Sequence, residues 1–225
     1  MQIQEIRNQI KTTDVNKIES LITIAKETGQ INKLWRPYRE IFKWLLSWGD
    51  ELFDNVDESY RNAKSHTEKI LLINKRLAIN ESDSSHLYKK IKFLPSSLGL
   101  LCSLEEFSIG DNDIHELPKS FTDLINLKSV YLSNNNIWTL PKGFDKLQNL
   151  KYLNLDRNRI REIPSCIKKM PNLETLSLVD NDISKLPYDL SVFKNIRNLR
   201  LSNTNIKESD LNLLKEAFSH INIHY

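Results

Sequence analysis

The chain has 225 residues, 40% of them hydrophobic, and a formal net charge of +3 from 32 basic and 29 acidic residues. This length and hydrophobic content are enough for a folded core, so a disordered chain is excluded. The charges are spread along the sequence without a basic tail or stripe, and nucleic acid is therefore not expected as a partner.

The first ten residues are charged and amide-rich where a signal peptide would carry an apolar run, and no apolar stretch is long enough to span a membrane. We therefore expect neither Sec export nor a membrane span. The two cysteines, Cys102 and Cys166, are too few for a disulfide framework or a four-ligand zinc site. Both are expected to be free thiols.

Residues 1–80 are predicted to form a separate α-helical N-terminal module, because they hold three of the four tryptophans, one proline and apolar residues at helical spacing. Asp14 can cap a helix that Gly29 ends. The apolar positions of this helix are Val15, Ile18, Leu21, Ile22 and Ala25.

A second helix is predicted from Asn32 to Phe53, with apolar residues at helical spacing along it. Pro37 falls near its start, where proline is tolerated if the helix begins around Arg36. A third helix is predicted over residues 57–80. The aromatic stretch 35–53 could lie on a membrane surface, but its interspersed acidic residues favour packing against the neighbouring helices and the first repeat.

Residues 104–206 repeat with a period of 23 residues. Each unit begins with a leucine or its equivalent, and two further apolar residues follow three and five positions later. This spacing is typical of a short strand with alternate side chains turned inward. The three columns are Leu104, Leu127, Leu150, Leu173 and Ile196; Phe107, Val130, Leu153, Leu176 and Leu199; and Ile109, Leu132, Leu155, Leu178 and Leu201.

An asparagine follows each of the first four strands, at Asn112, Asn135, Asn158 and Asn181. A buried Asn amide both donates and accepts, so the column is predicted to form a hydrogen-bonded ladder with the backbone at the turn leaving each strand. Each of these units then carries Leu-Pro or Ile-Pro. Because proline fixes the backbone and cannot donate to a strand ladder, the return segment is predicted to be extended or loosely helical.

These columns resemble the leucine-rich-repeat family, in the 23-residue form with a Leu-Pro signature found in intracellular scaffolds such as scribble and erbin and in many bacterial proteins. The resemblance implies an α/β fold, a leucine-rich-repeat solenoid in which each coil adds one strand to a curved parallel sheet and buries its neighbour's apolar edge. It also implies a function in protein binding.

The repeat domain is placed at residues 81–225, with a degenerate first repeat at 81–103, full repeats at 104–195, and a terminal repeat with a helical cap at 196–225. Thr204 replaces the ladder asparagine in the last unit. Asp210 is predicted to cap a helix there, and Ile221 and Ile223 are predicted to form a last short strand. Such a cap is needed because an open apolar end would aggregate.

The strand residues that alternate with the inward column are predicted to be exposed on the concave face of the sheet. They are Glu106, Ser108 and Gly110; Ser129, Tyr131 and Ser133; Tyr152, Asn154 and Asp156; Thr175, Ser177 and Val179; and Asn198, Arg200 and Ser202. Tyr131 and Tyr152 stand on adjacent strands among small polar residues. This is typical of a recognition patch, because tyrosine offers a large contact area at low entropic cost.

A second candidate surface lies just beyond the strands, where Arg157 and Arg159 stand between rows of Asp and Asn. A basic centre between acidic rows could select a complementary partner, or these arginines with Arg161 could merely neutralise the neighbouring Asp rows. Trp138 could be an exposed anchor or could cover neighbouring repeats. The predicted partner-binding residues are Glu106, Tyr131, Tyr152, Asn154, Asp156, Arg157, Arg159, Arg200 and Trp138.

The sequence contains no phosphate-binding loop, paired metal-binding histidines or nucleophile elbow, so no catalytic residue, metal, cofactor or small-molecule substrate is predicted. We expect a protein that binds a protein partner through the concave face of its repeats. The alternative is a bacterial effector or signalling component with a second activity in the helical module, and an enzyme is the least favoured class. The expected location is the cytoplasm, or the destination of a signal-peptide-independent route if the protein is an effector.

Overall fold

The structure, a computed structural model, describes residues 1–11, 14–46 and 90–225. Its helices are α1 (Ile3–Gln9), α2 (Val15–Glu27), α3 (Ile31–Leu46) and α4 (Glu208–Ala217). Its strands are β1 (Glu106–Ser108), β2 (Ser129–Tyr131), β3 (Tyr152–Asn154), β4 (Thr175–Ser177), β5 (Asn198–Arg200) and β6 (Asn222–His224). The predicted third helix, at 57–80, and the strand half of the degenerate first repeat, at 81–89, lie outside the described residues.

The six strands form one parallel sheet in chain order, from β1 to β6. Between β1 and β5 each residue pairs with the one 23 positions later, as Phe107 does with Val130 and Leu153 with Leu176. The 23-residue period therefore sets the strand register, since a slip of one residue would turn every inward side chain to the other face. The predicted α/β solenoid is confirmed.

The core is a continuous stack of inward side chains that runs along the sheet. The central column, Phe107, Val130, Leu153, Leu176 and Leu199, is fully buried. Each return segment between β1 and β5 winds into a short 3-10 turn, at Lys119–Asp123, Phe144–Lys146, Ser165–Lys169 and Leu190–Phe193. These turns carry further apolar residues into the same core, so the loosely helical return predicted from the prolines is confirmed.

The C-terminal end closes the sheet with a helix and a strand. β6 pairs with β5 through Ile223 opposite Leu199, which confirms the predicted last strand. Helix α4 buries Leu211 and Leu214, but its N-cap is Lys207 and Asp210 lies inside its first turn. The prediction that Asp210 caps this helix was therefore wrong. An acidic side chain inside the first turn still stabilises the positive end of the helix dipole.

The N-terminal helices follow the predicted boundaries only in part. Asp14 caps α2 by accepting a hydrogen bond from the Lys17 amide at 3.1 Å, and Gly29 follows the helix with a φ of +66°, as predicted. Helix α1 was not predicted from the sequence. It buries Ile6 and, just beyond its end, Ile10.

Helix α3 starts within one residue of the predicted start at Asn32, and the alternative start near Arg36 is wrong. It begins at Ile31, so Pro37 lies inside the helix rather than near its start. Proline has no N–H, so the Lys33 carbonyl four residues earlier loses its helical donor. The Arg7 side chain donates to that carbonyl at 2.8 Å. A hydrogen bond from α1 thus compensates for a proline that local sequence rules would exclude.

The helices pack against the N-terminal end of the repeats. Helix α3 contacts the 3-10 turn Leu98–Leu100, and Tyr38 from α3 is buried in the common core. Burial raises the pKa of the Tyr38 hydroxyl. Lys11 donates to the Gly99 carbonyl at 3.3 Å. The helical residues thus cover part of the first repeat, which a solenoid needs at each end.

Candidate functional site

The asparagine column holds neighbouring coils together beneath the concave face. Its four members are only 4–7% exposed. Asn158 Oδ1 accepts from the Ile137 amide at 3.0 Å, and Nδ2 donates to the carbonyls of Leu132 at 2.9 Å and Leu155 at 3.1 Å. The amide therefore binds backbone groups of its own coil and of the preceding one, which fixes the spacing of the surface residues.

The two ends of the asparagine column show how the repeats begin and end. Asn112 Oδ1 accepts from the Ile91 amide at 2.9 Å, so the segment from residue 90 forms the back half of a repeat, although its strand half lies outside the described residues. At the other end Thr204 donates to the Leu201 carbonyl at 2.8 Å. This bond stays within its own coil, so the threonine serves a terminal repeat better than an inner one.

The residue just before each ladder position adopts a left-handed backbone. These residues are Asp111, Asn134, Arg157, Asp180 and Asn203, with φ between +53° and +56°. Asp and Asn tolerate this conformation, whereas a long side chain pays a conformational cost. Arg157 is the exception in the column. The sequence predicts Arg157 only as part of a charged band. The Asp and Asn residues at the same repeat position are what indicate a left-handed turn there.

Replacing Arg157 with asparagine is expected to raise the free energy of unfolding by up to about 1 kcal/mol, because asparagine relieves the left-handed strain. The lost ion pair with Asp180, at 3.3 Å and largely exposed, offsets only a part of this gain. Urea unfolding followed by circular dichroism measures the change. A fall in stability would show that the ion pair outweighs the backbone strain.

Two tyrosines form the centre of the concave face. The rings of Tyr131 on β2 and Tyr152 on β3 lie 4.9 Å apart between centroids and are tilted by 36°. Both side chains are half-buried. Ser129 and Ser133 beside them are small and partly exposed, while Glu106 on β1 and Arg200 on β5 are exposed. The strands thus bring these predicted residues onto one face.

Three residues predicted to be exposed on this face are buried: Ser108, Gly110 and Ser177. Ser177 donates to the Asp156 carboxylate at 2.6 Å, which covers it. At Gly110 an added Cβ would lie 3.1 Å from the Ser133 hydroxyl, so the two neighbouring coils lie close together just beyond β1 and β2. Alternation along a strand gives the face of a residue, but its exposure depends on the adjacent coils.

Asp156 and Asn154 have structural hydrogen bonds of their own. Asp156 Oδ1 accepts from Ser177 and also from the Val179 amide at 2.9 Å, and Asn154 Oδ1 accepts from the Asp156 amide at 2.8 Å. The two bonds of Asp156 link the end of β3 to the end of β4, and the bond of Asn154 stays within its own coil. Any contribution of the two residues to binding therefore uses their remaining polar atoms.

The arginine band does not behave as one neutralised row. Arg157 pairs with Asp180, but Arg159 and Arg161 are exposed and form no ion pair with any residue in the described ranges. Among the described residues, only Arg157 of the three therefore forms the kind of surface ion pair that neutralisation of the Asp rows would use. Trp138 is 60% exposed, so most of its surface is open to solvent.

The two cysteines are free and half-buried. Burial, followed by the charge of Asp145, raises the pKa of Cys166 to about 11, and burial also raises the pKa of Cys102. Neither thiol is ionised at neutral pH, so neither has the reactivity of a nucleophile. Within the described ranges no three His, Cys, Asp or Glu side chains are grouped to hold a metal ion, and no helix has the length and hydropathy to cross a membrane.

Alkylation of Cys166 by iodoacetamide is expected to be slow at pH 7 and to rise about tenfold per pH unit towards pH 11, since only the thiolate reacts. Quantitative mass spectrometry of the Cys166 peptide measures the rate. The unfolded chain in urea serves as the control, because its thiol returns to an ordinary pKa near 8.5. Equal rates in the folded and unfolded chain at pH 8 would contradict the raised pKa.

The parallel sheet, the short 3-10 returns and the asparagine column define a solenoid of stacked repeats. Two family models match it, "Leucine rich repeat" over residues 102–160 and "Leucine Rich repeats (2 copies)" over residues 148–188. The repeats of residues 102–188 therefore match the leucine-rich-repeat family. Comparison with curated proteins finds no significant match.

Two solved bacterial structures share this fold. A leucine-rich-repeat protein of Leptospira interrogans is 28% identical, with a TM-score of 0.61, and the match covers 72% of this chain and 40% of that one. An internalin of Listeria monocytogenes is 24% identical, with a TM-score of 0.54, covering 72% and 44%. The chain thus spans less than half the length of either. Leucine-rich repeats are generally protein-interaction modules, and their folds are typically non-enzymatic scaffolds.

Proposed function

We propose that the protein binds a protein partner through the concave face of its sheet, with Tyr131 and Tyr152 at the centre of the contact. The observation that supports this best is the close pairing of the two rings, 4.9 Å apart on adjacent strands. Half-buried and packed on each other, the rings lose little conformational freedom on binding. Such preorganised aromatic groups contribute strongly to interface affinity.

Charges at the two sides of this face give the partner an orientation. Exposed Glu106 is on the first strand and exposed Arg200 on the fifth, four strand spacings away. At the usual strand separation this is about 19 Å. A partner with the opposite charges at that separation gains favourable contacts in one orientation only. The central tyrosines then supply affinity and the outer charges supply specificity.

The test is capture of a partner from a cell lysate on the immobilised full chain, followed by calorimetry with the purified partner. The Tyr131→Ala, Tyr152→Ala double variant is expected to bind at least about tenfold more weakly, because it removes both central rings. Tyr188→Ala is the matched control, since Tyr188 is fully exposed on a return segment. Unchanged affinity of the double variant would move the binding site away from the concave face.

The effector or signalling alternative keeps the same binding surface and adds a second activity in the N-terminal module. The bacterial source of both similar structures fits this alternative. The domain division at residues 80 and 81 is part of the same proposal. If the helices carry a separate activity, variants of the concave tyrosines should abolish partner binding and leave that activity intact.

A further inference from the structure

A groove lies beside the concave face, along the segments that leave β2 and β3. Its volume is about 640 Å³, and its walls include Trp138, Arg159 and Arg161. Ile160 and Ile163, which are buried in the core, lie beneath the groove as its apolar floor. The Arg159 amide donates to the Ile137 carbonyl at 2.9 Å, which holds the two walls of neighbouring coils side by side.

Trp138 is an exposed tryptophan at a repeat position that carries no core residue in the other coils. The tryptophan is 60% exposed. The residues at the same repeat position in other coils are His115, Arg161 and Ser184, none of which is apolar. A core position would repeat an apolar residue from coil to coil, and this column does not. A large exposed ring beside an apolar floor is the type of group that anchors a ligand side chain.

The two guanidinium groups beside this ring are available for a ligand. Arg159 and Arg161 are exposed and have no ion pair among the described residues, whereas Arg157 pairs with Asp180. Glu162 is the carboxylate residue in the groove wall, so two arginines outnumber one acid there. Arginine binds carboxylates through two parallel hydrogen bonds, which favours an acidic ligand.

The charges around the groove favour a short acidic peptide over a long polyanion. The repeat position of Arg159 carries Asp113 two coils before it and Asp182 in the next coil. An extended nucleic-acid backbone crossing these coils would meet carboxylates on both sides of the arginines. A short peptide with two acidic residues around one apolar residue can contact Arg159 and Arg161 without reaching these carboxylates.

We propose that this groove binds an acidic segment of a polypeptide, with carboxylates on Arg159 and Arg161 and an aromatic or large aliphatic side chain on Trp138. The inference rests on the proposed function only in that the ligand is a protein. It adds a second contact outside the concave face and specifies the chemistry of the bound segment.

The test begins with selection of random twelve-residue peptides displayed on phage against the full chain. Enriched peptides are expected to carry at least two Asp or Glu residues around an aromatic, Leu or Ile residue. The best synthetic peptide is then titrated by fluorescence anisotropy against Trp138→Ala and against the Arg159→Glu, Arg161→Glu variant. Both variants are expected to bind at least tenfold more weakly, and affinity should fall with salt.

The control is the Lys194→Glu, Lys207→Glu variant, which makes the same change of charge at exposed sites outside the groove. It is expected to bind the peptide within about twofold of the wild type. Absence of any enriched peptide, enrichment without acidic residues, or equal weakening in the control and groove variants would overturn the proposal. The peptide is also titrated against the Tyr131→Ala, Tyr152→Ala variant. Weakening in the groove variants alone separates the groove from the concave face, so either site can fail independently.

Discussion

Replacing Asn158 with alanine is expected to lower the free energy of unfolding by about 3–5 kcal/mol, because several buried backbone groups lose their partner at once. The Asn158 side chain accepts from the Ile137 amide and donates to the carbonyls of Leu132 and Leu155. Each buried group left without a partner costs about 1–3 kcal/mol. Alanine also leaves a small void between two coils, which adds to the loss.

The chain supplies two matched comparisons for this variant. Asn149 is exposed and makes a single bond to the Ile125 carbonyl of the preceding coil, at 2.9 Å, so Asn149→Ala should cost less than about 1 kcal/mol. Asn158→Thr should fall between the two, since Thr204 shows that a threonine at this position keeps the bond within its own coil. We expect Asn149→Ala to be the most stable of the three variants, Asn158→Thr to be intermediate and Asn158→Ala to be the least stable.

Urea unfolding followed by far-ultraviolet circular dichroism measures these changes. The slope of the free energy against urea concentration should be checked in each variant, because a weakened inner coil can divide unfolding into two transitions. If Asn158→Ala lowered the free energy of unfolding no more than Asn149→Ala does, the hydrogen bonds of the asparagine column would not be what holds neighbouring coils together.

The repeat architecture could be predicted from the sequence because it depends on a local rule repeated many times. One coil places its leucines inward, and the next must do the same 23 residues later to bury the shared edge. Parallel strands, loosely helical returns and a terminal strand all follow from that rule. The prediction needs only spacing and side-chain polarity, both of which are visible in the sequence.

Features that depend on contacts between distant segments could not be predicted. The interior position of Pro37 in α3 depends on Arg7, 30 residues away, whose guanidinium satisfies the Lys33 carbonyl. The burial of Ser177 depends on the carboxylate of Asp156 in the preceding coil. Local propensity rules contain no information on either contact, so they indicated neither a proline inside the helix nor a buried serine.

The candidate site was predictable in its members but not in their arrangement. Alternation along the strands indicates that Tyr131 and Tyr152 share a face. In the structure their ring centroids lie 4.9 Å apart. It does not indicate which arginines are paired, because Arg157, Arg159 and Arg161 follow one another at the same spacing. In the structure Arg157, which has a left-handed backbone, pairs with Asp180, whereas Arg159 and Arg161 form no ion pair with a described residue.

Replacing Phe121 with alanine is expected to lower the free energy of unfolding by about 4 kcal/mol, a value near the middle of the range for a buried phenylalanine. Phe121 is fully buried in the 3-10 turn of the first full repeat. Its ring contacts Phe107 edge to face at 5.1 Å and stacks on Phe144 of the next repeat at 6.0 Å. Alanine therefore removes buried area and two aromatic contacts.

The same return segment provides the control. Ile125 is exposed, so Ile125→Ala should change stability by less than about 1 kcal/mol. Phe121→Leu should cost less than Phe121→Ala, because Ile167 and Leu190 occupy the same repeat position in later coils without an aromatic ring. Denaturation by urea measures all three variants. Equal stability of Phe121→Ala and Ile125→Ala would mean that the return side of the core contributes little to the stacking of the coils.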